Sequence, residues 1–270
     1  MKNIVISLVS EQQRREHIIA EFSKQDVKFE FFDAITPKTS ADIAKEININ
    51  IENTNLGAGE VSCLLSHVVL WKKMLDENLD HIAIFEDDIY LGENVRDFLN
   101  DNQWIPEYCD IIKLEAFSST IKSTIKPTEI LQKNRKLFPL RSSHVGAAGY
   151  ILSKKAAVSL LEYFRQTENL IAVDKAMFNY YLVDGNLPVF QMLPALCVQE
   201  HRMAGKTDLF PSTLKHERSV RREIDLKKNP TKQKTILQTM YKELSRPFIQ
   251  LISIPWIIYS KLATKKVEFR

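Results

Sequence analysis

Glycine is scarce in this chain, with 7 among 270 residues, and neither GxxxxGK[ST] nor a GxGxxG run after an apolar strand occurs. Both loops rely on glycine for close backbone approach to phosphate, so a P-loop and a dinucleotide-binding turn are excluded. The DxDx[TV] pattern of an aspartyl-nucleophile phosphatase is missing as well. Cysteine is limited to Cys63, Cys109 and Cys197, far apart and without a CxxC pair. That spacing indicates neither a disulfide framework nor a structural zinc site, and a reducing cytosol is the expected compartment. The opening MKNIVISLVS passes at once to EQQRRE. It lacks the h-region and cleavage site of a signal peptide, so export is not expected. No internal repeat is visible.

What is present suits one ordinary domain with an appendage, since 44% of the residues are hydrophobic and a sizeable core is within reach. The net charge of +3 hides an asymmetry. From Glu217 onward 13 basic residues face 5 acidic ones, a balance of +8, and the preceding part carries −5. A mildly acidic body, residues 1–216, bears a basic tail, residues 217–270.

Periodicity orders the body. Lys2 to Val9 is an apolar run of strand length, followed by a helix through Ile18, Ile19 and Phe22. Val27, Phe29 and Phe31 alternate toward Asp33, which predicts a second strand. PKTSADIAKEININIENTN offers little core material and reads as a variable excursion. Val61, Leu64, Leu65, Val68 and Leu75 predict a helix ending near Asn78, before the strand HIAIF. A polar segment from Gly92 to Tyr108 precedes the short strand in DIIKLEAF, and a loop rich in Lys, Thr and Ser follows. GYIL reads as a strand, Ser153 as the cap of a helix over 154–164, and VDKAMFNYYLV as a further helix. Leu187 to Gln199 is extended, because Pro188 and Pro194 oppose a helix interior. Strands alternating with helices imply an α/β domain with a mostly parallel central sheet.

The strand HIAIF ends in Glu86, Asp87 and Asp88. In open α/β sheets ligands bind beyond the carboxyl ends of strands, so these acids face the binding crevice. Clustered carboxylates repel one another, and a divalent cation offsets that cost. Mg²⁺ or Mn²⁺ takes one or two carboxylates and leaves its other positions to water and phosphate oxygens, which fits a nucleotide-diphosphate substrate. A solvated acidic loop is the bland alternative.

Several blocks now point one way: VISLVSEQQRREHI, FEFFDAITP, SCLLSHVVLW, HIAIFEDDIYLGE, IIKLE, FPLRSSHVGAAGYILSKKA, VDKAMF and LPVFQMLPALCVQE. In this order, from about Ile4 to Glu200, they resemble glycosyltransferase family 25, especially its bacterial lipooligosaccharide galactosyltransferases. The resemblance implies a GT-A-like nucleotide-sugar-binding fold and inverting transfer of a hexose, usually galactose from UDP-galactose, to a growing lipooligosaccharide. It also implies an acidic DxD equivalent holding Mn²⁺ or Mg²⁺ on the donor diphosphate, here EDD, with Asp88 the foremost ligand, Glu86 closer to the ribose or a metal-bound water, and Asp87 between them.

Inversion needs a base for the acceptor hydroxyl. Asp174, 86 residues after Asp88 at a helix start and in a matching block, is the candidate, and a plain N-cap is its structural alternative. Glu115 and Glu200 are rivals, because each also ends an apolar run. Arg14 and Arg15 follow the first strand and are candidates for uridine or diphosphate, with a solvated helix face the alternative for one of them. Asp33 is a candidate for base or ribose, with a turn-forming role the alternative. In SSHVGAAGY, Gly146 permits close backbone approach to a sugar and His144 is a hydrogen-bonding candidate for donor or acceptor. His67 shares a helix stripe with Cys63 and Trp71, a pattern of a buried, hydrogen-bonded histidine more than of a ligand. His216, ahead of His201, is the candidate for completing the metal site that some GT-A enzymes close with a histidine.

FIQLISIPWIIYSKL, Phe248 to Leu262, is flanked by lysines, falls short of the ~20 apolar residues of a span, and is broken by Pro255. It reads as a surface anchor on an anionic inner membrane, on the cytoplasmic face, where a lipid-linked oligosaccharide acceptor would be met. A helix packed on the domain or a dimer contact is the alternative, and no nucleic-acid reader motif accompanies the basic residues. A UDP-glucose-using transferase, another metal-dependent phosphate-ester enzyme and a non-catalytic carbohydrate-binding protein are the rival functions.

Overall fold

The computed structural model describes residues 1–52, 54–180, 188–203, 209–210, 219 and 254–270. The chain opens with β1 (Lys2–Ser7), α1 (Gln12–Lys24), β2 (Glu30–Asp33), α2 (Ser40–Glu46) and α3 (Ala58–Asp76). It continues through β3 (His81–Glu86), β4 (Ile89–Leu91), α4 (Arg96–Leu99) and β5 (Ile111–Lys113). Short strands β6 (Thr120–Lys122), β7 (Glu129–Ile130) and β8 (Lys136–Pro139) precede β9 (Gly149–Ser153), α5 (Lys154–Gln166) and α6 (Val173–Lys175). A π-helical turn, Ala176–Tyr180, extends α6, and β10 (Val189–Leu193), β11 (Cys197–Gln199) and β12 (Thr264–Lys266) complete the elements.

Eight strands form one sheet in the order β2-β1-β3-β9-β5-β10-β8-β7. Six of the eight point the same way, and only β8 and β9 run against them. The expected α/β body with a mostly parallel sheet is therefore present, with reversed strands inserted beside β3 and β10.

The two-residue alternation of each strand divides the core. Ile82 and Ile84 of β3 join Ile4, Tyr150 and Leu152 under α2, α3 and α5. Ala83 and Phe85 join Val5, Ile112 and Ile151 under α1 and α4. HIAIF thus reads as a continuous apolar run because both of its faces are covered. Ser153 caps α5 as expected, its Oγ accepting from the Ala156 amide at 3.1 Å.

Three sequence expectations are corrected. The stretch after Pro37 contains α2, and Ala44, Ile47 and Ile49 lie in the core. The segment Gly92–Tyr108 contains α4, whose Phe98 and Leu99 are fully buried. The Lys/Thr/Ser-rich stretch contains β6, β7 and β8, of which β7 and β8 extend the sheet and β6 pairs with β12. In each case the elements are short, 7 residues or fewer, so the apolar pattern repeats over too few positions to register.

Of the basic tail, only 219 and 254–270 are described, and Lys227, Lys228, Lys232, Lys234, Lys242 and Arg246 lie outside. Residues 254–262 are helical. After them β12 pairs with β6, and the Ala195 amide donates to the Glu268 carbonyl at 2.7 Å, so the chain's end packs on the α/β body.

Candidate active site

Because β1 and β3 are parallel, Ser7 and Glu86 emerge at the same edge of the sheet. A second, two-stranded sheet of β11 and β4 lies next to this edge and sets Gln199 opposite Ile89, the residue after Asp88. The Gln199 amide Nε2 donates to Glu86 Oε2 at 3.0 Å and lies 3.1 Å from both carboxylate oxygens of Asp88. Glu86 and Asp88 therefore converge on one point. Burial pushes the Asp88 carboxyl above its usual range, against the pull of the Gln199 hydrogen bond and of Arg14. Two convergent carboxylates around a position already held by a hydrogen-bond donor form an all-oxygen donor set that fits a hard divalent cation.

Asp87 turns elsewhere, taking a 2.7 Å ion pair from Arg14. Burial disfavours the Arg14 charge, but Asp87, with Asp88 and Glu11, outweighs it and raises the guanidinium further. Arg15 pairs with Asp33 at 2.5 Å, donates to the Ser7 carbonyl at 3.0 Å and lies over the Phe31 ring at 4.7 Å. It ties the ends of β1 and β2 together. Glu200 is 2% exposed and accepts from the Phe210 amide at 2.8 Å, while Arg14 donates to the Phe210 carbonyl at 3.1 Å.

Beyond β5 lies a second group. Lys113 and Glu115 are both fully buried, with Nζ 3.0 Å from Oε2. Lys113 also donates to the carbonyls of Val145 and Gly146, and Glu115 accepts from the Ala148 amide at 3.1 Å. The pair thus grips the loop before β9. Gly146 has φ +88°, and a Cβ there would lie 2.3 Å from the Phe117 ring, so no other residue fits without movement. Its amide donates to Asp174 Oδ2 at 2.9 Å, while Asp174 Oδ1 accepts from the Lys175 amide at 2.8 Å. Asp174 lies in the first turn of α6, half-buried, and its carboxylate links α6 to the loop. His144 is buried between the Phe117 and Phe178 rings, and burial, helped by Lys113, pushes its imidazole down to about 4.

On α3, His67 is fully buried, as the helix stripe implied, and burial pushes it down to about 4. Its Nδ1 lies 2.8 Å from the Tyr150 hydroxyl, which accepts from Trp71 Nε1 at 2.9 Å.

The fold thus gathers Glu86, Asp88 and Gln199 at the end of β3, and Gly146 with Asp174 at the loop before β9. Asp87 and Asp33 are occupied by arginines from α1. His201 is exposed in a 3-10 turn, and His216 lies outside the described residues. Three residues here were not anticipated: Gln199, Lys113 and Tyr150. Gln199 carried a usable signal, since it ends an apolar run beside Glu200, whereas Lys113 inside IIKLE gave no sign of full burial.

Residues 1–177 match the pattern of glycosyltransferase family 25, described as an LPS biosynthesis protein. The chain belongs to glycosyltransferase family 25. Among relatives of this family 25 chain, a putative glycosyltransferase of Haemophilus influenzae is 40% identical over 73% of the chain and 70% of its own length. The lipooligosaccharide biosynthesis protein lic2B of Haemophilus influenzae is 36% identical over 90% of the chain and 95% of its own length. The lacto-N-neotetraose biosynthesis glycosyltransferase LgtE of Neisseria meningitidis is 37% identical over 84% of the chain and 88% of its own length.

Proposed function

We propose that this chain is an inverting, metal-dependent transferase of GT-A-like fold that moves a hexose, galactose from UDP-galactose, onto a sugar of lipooligosaccharide. Family membership and the relatives' names support the reaction class and the pathway. The observation that carries the site is the convergence of the Glu86 and Asp88 carboxylates on the Gln199 amide nitrogen.

Glu86 and Asp88 would hold Mn²⁺ or Mg²⁺, which when bound offsets the negative charge growing on the departing diphosphate. Arg14, fixed by Asp87, keeps a full positive charge within electrostatic reach of Asp88. Asp174 takes the proton of the acceptor hydroxyl as its oxygen bonds to the anomeric carbon. The anomeric bond to phosphate breaks, and UDP leaves with that electron pair. Two backbone amides orient the Asp174 carboxylate, and its partial exposure leaves an acceptor path. Glu115 and Glu200 are buried, with Glu115 Oε2 held by Lys113 and Glu200 Oε2 by the Phe210 amide, whereas Asp174 is only half-buried, so we assign the base to Asp174. We assign the enzyme to the cytoplasmic face of the inner membrane, on the exposed apolar side chains of 254–262, where it meets a lipid-linked acceptor. Among the described residues no helix is long and apolar enough to cross a membrane.

The test is UDP release from a panel of UDP-sugars, with Mn²⁺ or EDTA, on wild type, Asp88→Ala, Asp174→Asn and Asp174→Glu. Manganese-dependent turnover of UDP-galactose, lost in Asp88→Ala, is expected. Asp174→Asn should retain donor binding and lose transfer, with partial recovery in Asp174→Glu. Turnover insensitive to EDTA and to Asp88→Ala would overturn the metal assignment.

A further inference from the structure

Cys63 and His67, one turn apart on α3, meet Glu86 at the end of β3. One ligand atom from each residue lies within 4.8 Å of the other two. We propose that Cys63, His67 and Glu86 form a zinc site with one position left open to water.

The chemistry of the donors selects the ion. Thiolate, imidazole and carboxylate together suit zinc, whereas magnesium and manganese prefer oxygen ligands of the kind offered at Asp88. Ligand atoms of a tetrahedral zinc ion lie about 3.5 Å apart, so closure takes roughly an ångström of side-chain adjustment. Cys63 and Glu86 are partly exposed, which leaves an entry path.

The independent observation is the state of His67. Its Nδ1 is occupied by the Tyr150 hydroxyl at 2.8 Å, and Tyr150 is itself held by Trp71 at 2.9 Å. Its Nε2 is buried without a hydrogen-bond partner. A buried ring nitrogen left bare is costly, and a metal ion is a partner that resolves it. When Nδ1–H donates to the tyrosine oxygen, the lone pair lies on Nε2, the tautomer that zinc requires, with Tyr150 as orienting partner. The Cys63 thiol gives its proton to solvent as the bond to zinc forms.

Glu86 serves both clusters, so zinc here would withdraw it from the donor site and slow transfer. This consequence rests on the transferase reading, whereas zinc binding does not. Binding is tested on the full-length, metal-stripped protein with Co²⁺ as the probe and zinc as competitor. One equivalent of cobalt should give a thiolate-to-cobalt charge-transfer band that zinc abolishes. The band should vanish in Cys63→Ser, persist in Cys109→Ser, and zinc affinity should fall about 10- to 100-fold in Tyr150→Phe. Since Cys63 is half-buried and belongs to neither core cluster, its serine variant tests the site with little disturbance of the core. Absence of the band in wild type, or its survival in Cys63→Ser, would overturn the site. In the UDP-release assay at saturating manganese, zinc should inhibit wild type and spare Cys63→Ser. Equal effects on an active pair would refute the coupling while leaving the cobalt result to judge the site.

Discussion

Lys113, the last residue of the interior strand β5, and Glu115, two residues on, form an ion pair at 3.0 Å in which both side chains are fully buried. Removing one partner leaves the other charge in a medium that cannot solvate it. Lys113→Met should therefore cost about 3–5 kcal/mol in urea unfolding. It should also free the carbonyls of Val145 and Gly146, and so lower kcat at temperatures where the variant remains folded.

Gly146→Ala places a methyl group against Phe117 and Glu115 at φ +88°. The backbone must shift, and the amide that holds Asp174 shifts with it. The expected result is a loss of about 1–3 kcal/mol of stability, with kcat reduced at least tenfold and KM for the donor little changed. Steady-state kinetics separates this from general destabilisation.

Gln199→Leu removes the amide that lies between Glu86 and Asp88. The two carboxylates then lose the donor they share, so the melting temperature in EDTA should fall by several degrees. Manganese should restore more of it than it adds to wild type, because ligand binding to the folded state stabilises by mass action. Calorimetry with and without metal reads both effects.

His144 supplies a pH dependence with a definite sign. Its folded pKa is pushed down to about 4 by burial, with Lys113 adding and the Val145 carbonyl and Asp174 opposing. The unfolded chain takes up this proton near pH 6.5, so stability is intact above that pH and declines as pH falls toward 4. The contribution is on the order of 3 kcal/mol before solvent screening, and His144→Gln should flatten the slope of urea stability between pH 6.5 and 4.

Trp256, Ile257, Ile258 and Leu262 are more than half exposed, beside Lys261, Lys265 and Lys266. Vesicles containing anionic phosphatidylglycerol should blue-shift Trp256 fluorescence, whereas neutral vesicles should do so weakly. Lys261→Glu with Lys265→Glu should reduce the partition coefficient by about tenfold or more, since each basic residue near an anionic surface contributes about 1 kcal/mol. Equal partitioning to both vesicle types would argue for a protein contact instead.

What the sequence determined by itself was local and patterned. HIAIF, KNIVIS and GYILS announced their strands because burial on both faces leaves runs of apolar residues, and Ser153 announced its cap because the hydrogen bond closes within three residues. The acids after β3 were legible for the same reason, since their place follows from the strand's end. Spacing could not show that Gln199, 113 residues after Glu86, would stand between Glu86 and Asp88. Nor could it show that Lys113 would be buried, or that Cys63 and His67 would meet Glu86 across the top of α3. Those juxtapositions come from strand order and register, which bring distant segments together and leave no trace in the period of any one of them.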